Sequence, residues 1–188
     1  MPGAAMTGLE ATGPAIGFFG KIPSRGDFLC AGLSLGFIQA WDRWLQGVLA
    51  DGQRLLGETW PEAWHVAPVW RFALPSGHCG RHPVLGLWMP SVDRVGRSFP
   101  LTIAAEGADR GDAFLDAAER IGREAIAFDL APDAVMARLR DAALPEPASG
   151  PSGDRARWWS DGGPLAAAAE LALDTLPDGA GFARMLRP

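Results

Sequence analysis

Cysteine is scarce in this chain of 188 residues: Cys30 and Cys79 stand alone, and they form no Cys-x-x-Cys pair. A disulfide framework or a cysteine-rich metal cluster is thereby excluded as the organising feature, and both thiols read as reduced and buried. Histidine is nearly as rare, limited to His65, His78 and His82. The last two flank Cys79 in GHCGRH, but Pro75 and Pro83 bracket that Gly-rich connection, and it falls short of the four ligands of a structural zinc site. No metal or other cofactor is expected. Long apolar runs are missing as well, with nothing approaching the roughly 18 residues of a membrane span. Residues 1–16 lack the basic start and apolar middle of a secretory leader. The expected location is cytoplasmic, with no direct membrane insertion. Positive charge is also short. A net charge of -5 and a pI near 5.1 argue against broad attraction to nucleic acid or anionic lipid. Of the 17 basic residues all but Lys21 are arginine. A position that keeps lysine points to a need for a compact ammonium.

What is present suits a folded core, since 48% of residues are hydrophobic and 21% charged. The length fits one domain. Residues 1–15 read as a flexible N-terminal segment and 16–188 as a single domain, with no internal repeat. Residues 16–21 are short, apolar and aromatic, a strand that the Pro, Ser, Gly and Asp of PSRGD then break. Phe37, Trp41, Trp44, Leu45, Val48, Leu49, Leu55 and Leu56 recur at helical spacing, with Ser34 placed to cap the start and Gly57 to end it. Three strands are predicted over 67–74, 84–90 and 98–105, the third confined to a sheet edge or bulged because Pro100 cannot donate a ladder hydrogen bond. Two helices follow, striped by Phe114, Ala118, Ile121, Ala125 and Phe128, and by Val135, Leu139 and Ala142 after Pro132. Residues 144–153 (LPEPASGPSG) read as a linker. The extension 154–188 is expected to pack back on the domain through a strand in RARWWSDGG, a helix in PLAAAAELALDTL and a short apolar anchor in FARML. The sum is an α+β protein, with a mixed, mainly antiparallel sheet flanked by helices.

Motifs for catalysis are few. GPAIGFFGK superficially suggests a phosphate loop, but its spacing is wrong, and Ile22 stands where a Ser or Thr should hold magnesium. No Gly-x-Ser-x-Gly elbow frames Ser24 or Ser91, although a triad assembled in space from His65 and a carboxylate is not bound to a motif.

Taken in order, GFFGKIPSRGDF, FIQAWDRWLQ, APVWRFAL, MPSVDRVGRSFPLTIAA, RWWSDGG and FARML resemble the pattern of the TagF (ImpM) family of type VI secretion accessory proteins. The resemblance implies a non-enzymatic cytoplasmic protein that represses type VI secretion after translation by binding another component, with a forkhead-associated-domain scaffold as the partner type. The element order is also similar to a longin or SNARE-like module, an analogy of fold that does not establish function. The alternative is a hydrolase or small-ligand sensor using an ionic cleft between the loops 21–27 and 91–97.

Those two loops hold the candidate site: Lys21, Arg25, Asp27, Asp93, Arg94 and Arg97. If they meet at one end of the sheet, the aspartates pair with the arginines and Lys21 adds a further cation. Such a cluster either docks the first strand against the hairpin or forms a face that a partner reads, and ion-pair networks serve both roles. Trp158 and Trp159 point to opposite faces of their strand, so one of them is a candidate aromatic contact.

Overall fold

The computed structural model describes residues 13–23, 26–149 and 153–187. Its first strand, β1 (Ala15–Gly20), sends Phe18 and Phe19 to opposite faces of the sheet, as a period of two requires. A short strand, β2 (Leu29–Ala31), pairs with it antiparallel. The long helix α1 (Leu35–Leu56) begins where the Ser34 hydroxyl accepts the Phe37 N–H at 3.2 Å, and it ends at Gly57. A single 3-10 turn (Gly57–Thr59) passes into α2 (Trp60–His65). Then come β3 (Trp70–Leu74), β4 (Val84–Met89), β5 (Leu101–Glu106) and the short β6 (Ala108–Arg110). Two helices follow, α3 (Asp112–Phe128) and α4 (Pro132–Arg140), and after them β7 (Glu146–Pro147). The chain closes with β8 (Ala156–Ser160), β9 (Ala169–Leu173) and α5 (Gly179–Leu186).

Seven strands lie in the order β2-β1-β5-β4-β3-β8-β9, and every pairing among the described residues is antiparallel; β6 and β7 form a separate ribbon. Helices cover both faces. On one side α1, α2 and α5 close over Trp41, Trp64, Trp88, Trp158, Phe72 and Phe182; on the other α3 and α4 close over Phe18, Leu87, Leu101, Ile103 and Ile121. This is the α+β arrangement that the alternation of strand and helix patterns leads one to expect. Fully burying one large apolar side chain stabilises the fold by roughly 2–3 kcal/mol, so the tryptophan-rich layer anchors α1 to the sheet. Several indole N–H groups in that layer find acceptors, among them Trp41 on Thr102 Oγ1 at 2.9 Å, Trp44 on the Pro177 carbonyl at 2.7 Å and Trp70 on the Met185 carbonyl at 2.9 Å, whereas those of Trp88 and Trp158 are buried without one among the described residues. The bonds of Trp44 and Trp70 fasten the C-terminal segment to α1 and β3.

Several sequence expectations are corrected. The segment expected to be an Ala-rich helix contains strand β9, because Leu171 and Leu173, two residues apart, turn one face toward the core while β8 supplies a complete ladder. Strand β5 is interior, between β1 and β4. Pro100 is harmless there because the ladder begins one residue later, at Leu101. Leu55 and Phe128 fall on the outer sides of their helices, and Phe128 is 73% exposed. Cys79 is buried as expected, but Cys30 is exposed on the edge strand β2.

Candidate interaction site

Strand β1 leaves the sheet through Gly20, whose φ of 143° favours glycine and whose missing side chain leaves room for the Pro100 carbonyl. The next residue, Lys21, is thereby aimed at the connection between β4 and β5. That connection continues the hairpin through an isolated bridge between Val92 and Ser98 and then makes a tight turn over 93–97. The Asp93 N–H bonds the Arg97 carbonyl at 3.1 Å, and the Gly96 N–H bonds the Asp93 carbonyl at 2.9 Å, with Gly96 at a φ of 82°.

Asp93 organises the turn from within. Its Oδ1 accepts the backbone N–H groups of Val95 at 3.0 Å and Arg97 at 2.9 Å, an aspartate bonding its own turn. Its Oδ2 accepts Lys21 Nζ at 2.9 Å and Arg97 Nε at 2.6 Å. The carboxylate is fully enclosed and the Lys21 side chain is 8% exposed, whereas that of Arg97 is 66% exposed. Loss of hydration alone would raise the Asp93 carboxyl. The bonds from Lys21, from the Arg97 backbone and side chain, and from the Val95 N–H outweigh it and hold the group well below the usual carboxylate range.

The surroundings are aromatic and hydrogen-bonded. Lys21 Nζ lies 4.7 Å from the centre of the Phe28 ring, and Phe28 meets Phe99 edge-on at 4.7 Å and stacks on Phe19 at 5.7 Å. The Ser91 hydroxyl donates to the Lys21 carbonyl at 2.8 Å. From the other side α2 holds the base of the hairpin, with Trp64 Nε1 on the Ser91 carbonyl at 2.9 Å and Trp60 Nε1 on Ser98 Oγ at 3.3 Å.

Of the six charged residues singled out by sequence, the structure brings Lys21, Asp93 and Arg97 together. Asp27 and Arg94 are exposed, and neither has an ion-pair partner among the described residues; Arg25 lies outside those residues. Trp158 is fully buried between Trp41, Trp44 and Phe72, so it offers no surface to a partner. Trp159, on the opposite face, is half-buried with Arg157 over its ring at 5.1 Å. Sequence reasoning missed Phe28, Phe99, Trp60 and Trp64, although the four-residue spacing of the two tryptophans signals one helical face. Two cavities of about 500 Å³ lie elsewhere, one lined by residues including His65, Met89 and Arg123, the other by residues including Asp109, Arg110 and Trp159. Neither includes Lys21, Asp93 or Arg97.

The chain is thus an α+β protein in which one buried carboxylate joins the exit of β1 to the β4–β5 turn. It belongs to the TagF family: the profile of the TagF N-terminal domain, type VI secretion system-associated, matches residues 17–145. Both loops of the site fall within that match, whereas β8, β9 and α5 lie beyond it. Among solved structures the fold is similar to PA0076 from Pseudomonas aeruginosa PAO1, determined at 2.05 Å. The TM-score is 0.82 and the identity 28%, over 92% of this chain and 94% of that one. No protein with a curated description matches the chain.

Proposed function

We propose that this chain is a non-enzymatic cytoplasmic protein that represses type VI secretion after translation. It does so by binding another component of the system, a forkhead-associated-domain scaffold, through the face where the 21–27 and 91–97 loops come together. The observation that carries the reading is the contrast at the ionic cluster: Asp93 and Lys21 are buried, while Arg97 of the cluster and Arg94, next to Asp93 in the turn but outside the cluster, are exposed. A wholly structural ion pair has no need of the second and third cations. The strand order β2-β1-β5-β4-β3, with α1 on one face and α3 and α4 on the other, supports the longin or SNARE-like analogy as the frame of this face. We read residues 16–188 as one domain, in which 154–188 packs back on the sheet after the 144–153 connection. Among the described residues no helix is long and apolar enough to cross a membrane.

Overproduction in a host with an active type VI system tests the reading. Secretion should fall while the transcripts of the secretion components stay level. The double variant Arg94→Glu, Arg97→Glu should restore secretion while remaining folded by circular dichroism, since like charges set against a complementary interface cost several kcal/mol. Undiminished secretion on overproduction of the wild type refutes repression. Full suppression by the folded double variant moves the contact elsewhere.

A further inference from the structure

We propose that the turn over 93–97 is a preformed docking element. It presents Val95, flanked by the guanidinium groups of Arg94 and Arg97, to an apolar socket rimmed by carboxylates on a protein partner. Lys21 and Asp93 hold the turn in shape from behind and do not touch that partner. The inference rests on the reading that this face meets a protein, and it assigns separate roles to the members of the cluster.

Three observations lead to it. Val95 is 70% exposed although it is apolar, and it is the middle residue of a turn whose backbone is bonded to a buried carboxylate. Single exposed apolar residues are ordinary on any protein. Leu35, Leu55, Phe128 and Leu144 are such residues, and none lies in this clamped turn. The geometry of the turn is fixed before any encounter, because four donors converge on Asp93 and two of them are the N–H groups of Val95 and Arg97 themselves. A loop already in its bound shape loses little conformational entropy on binding, which is the usual source of affinity in a small contact.

The charge pattern names the chemistry of the socket. The chain as a whole carries -5, yet Arg94 and Arg97 stand beside Val95 in one turn. Arg97 engages Asp93 through Nε. Its side chain is 66% exposed, so the terminal nitrogens remain available to a carboxylate in the side-on manner that guanidinium favours. Phe28, 48% exposed and touching the same Lys21 that holds Asp93, adds an aromatic shoulder to the face.

A photo-crosslinking experiment in the native host tests the assignment apart from the repression phenotype. p-Benzoylphenylalanine is placed at position 95 of the full chain and, as a control on another exposed apolar site, at position 55. Crosslinked peptides are then mapped by mass spectrometry. Position 95 should join one discrete partner within a segment that sets apolar residues beside Asp or Glu, and position 55 should not join that segment. No crosslink at 95, or one to a basic segment, overturns the proposal. In the overproduction assay a folded Val95→Asp chain should lose at least tenfold in suppression and Val95→Ile should keep it. A folded Val95→Asp chain as active as wild type also overturns the proposal. The expected crosslink from position 95, together with a wild-type chain that does not suppress secretion, leaves the docking element standing and removes the repression.

Discussion

Replacing Ser34 with alanine should destabilise the protein out of proportion to the loss of one hydroxyl. That oxygen accepts the Phe37 N–H at 3.2 Å, and it donates to Glu106 Oε2 at 2.7 Å. Glu106 ends the interior strand β5 and is only 8% exposed, so the bond ties the start of α1 to the middle of the sheet. The Ser34 N–H, 2.5 Å from Glu106 Oε1, survives the change. Losing an N-cap costs about 1 kcal/mol, and losing a hydrogen bond to a charged group costs about 1.5–3 kcal/mol. Together these give about 2.5–4 kcal/mol, which at about 2–4 °C per kcal/mol for a chain of this size lowers the melting temperature by about 5–16 °C. Ser34→Thr keeps both bonds and should melt within about 2 °C of wild type. Calorimetry on Ser34→Ala, Glu106→Gln and the double variant should show a coupling of at least about 0.5 kcal/mol. A Ser34→Ala melt indistinguishable from wild type, or strict additivity in the cycle, would refute the reasoning.

Two further outcomes follow from the ionisable groups. The Asp93 carboxyl is depressed in the folded state, so its stabilising effect is complete above the ordinary aspartate value near 3.9 and is lost as pH falls through the folded value. Urea midpoints taken from pH 7 to pH 2.5 should therefore decline more steeply for wild type than for Asp93→Asn; parallel curves would contradict this. Burial, assisted by the charge of Glu106, pushes the Cys79 thiol up to about 12, whereas Cys30 is exposed. Ellman's reagent at pH 8 should accordingly titrate one thiol in the native chain and two in denaturant, and two fast thiols in the native state would show that Cys79 is accessible.

How much of this was legible in the sequence varies with the range of the interactions. The helix α1 could be read because its stripe, its Ser34 cap and its Gly57 stop are all local. β2 could not, since three residues are too few to show a period, and it is held by Phe18, Phe19 and Gly20 across the loop. β9 was hidden by alanines that suit a helix; what makes it a strand is a partner, β8, that presents five residues in register. In the site, Lys21, Asp93 and Arg97 could be singled out by residue type and turn chemistry. That Asp27 and Arg94 stand outside the cluster depends on the direction in which each side chain leaves its loop. Charge and composition do not encode that direction.

The position of β3 bears on how the protein is made. One edge of β3 is taken by β4, which follows within a short connection, but the other belongs to β8, about 80 residues further along the chain. At about 5–20 residues per second of synthesis, that edge and the tryptophan layer beneath β8 and α5 wait about 4–16 s for their cover. Through that interval the nascent chain carries an unpaired strand edge beside a large apolar surface, the combination that favours pairing with a neighbouring chain. The stretch matched by the family profile, residues 17–145, thus leaves that edge and surface for the last strands and helix to cover.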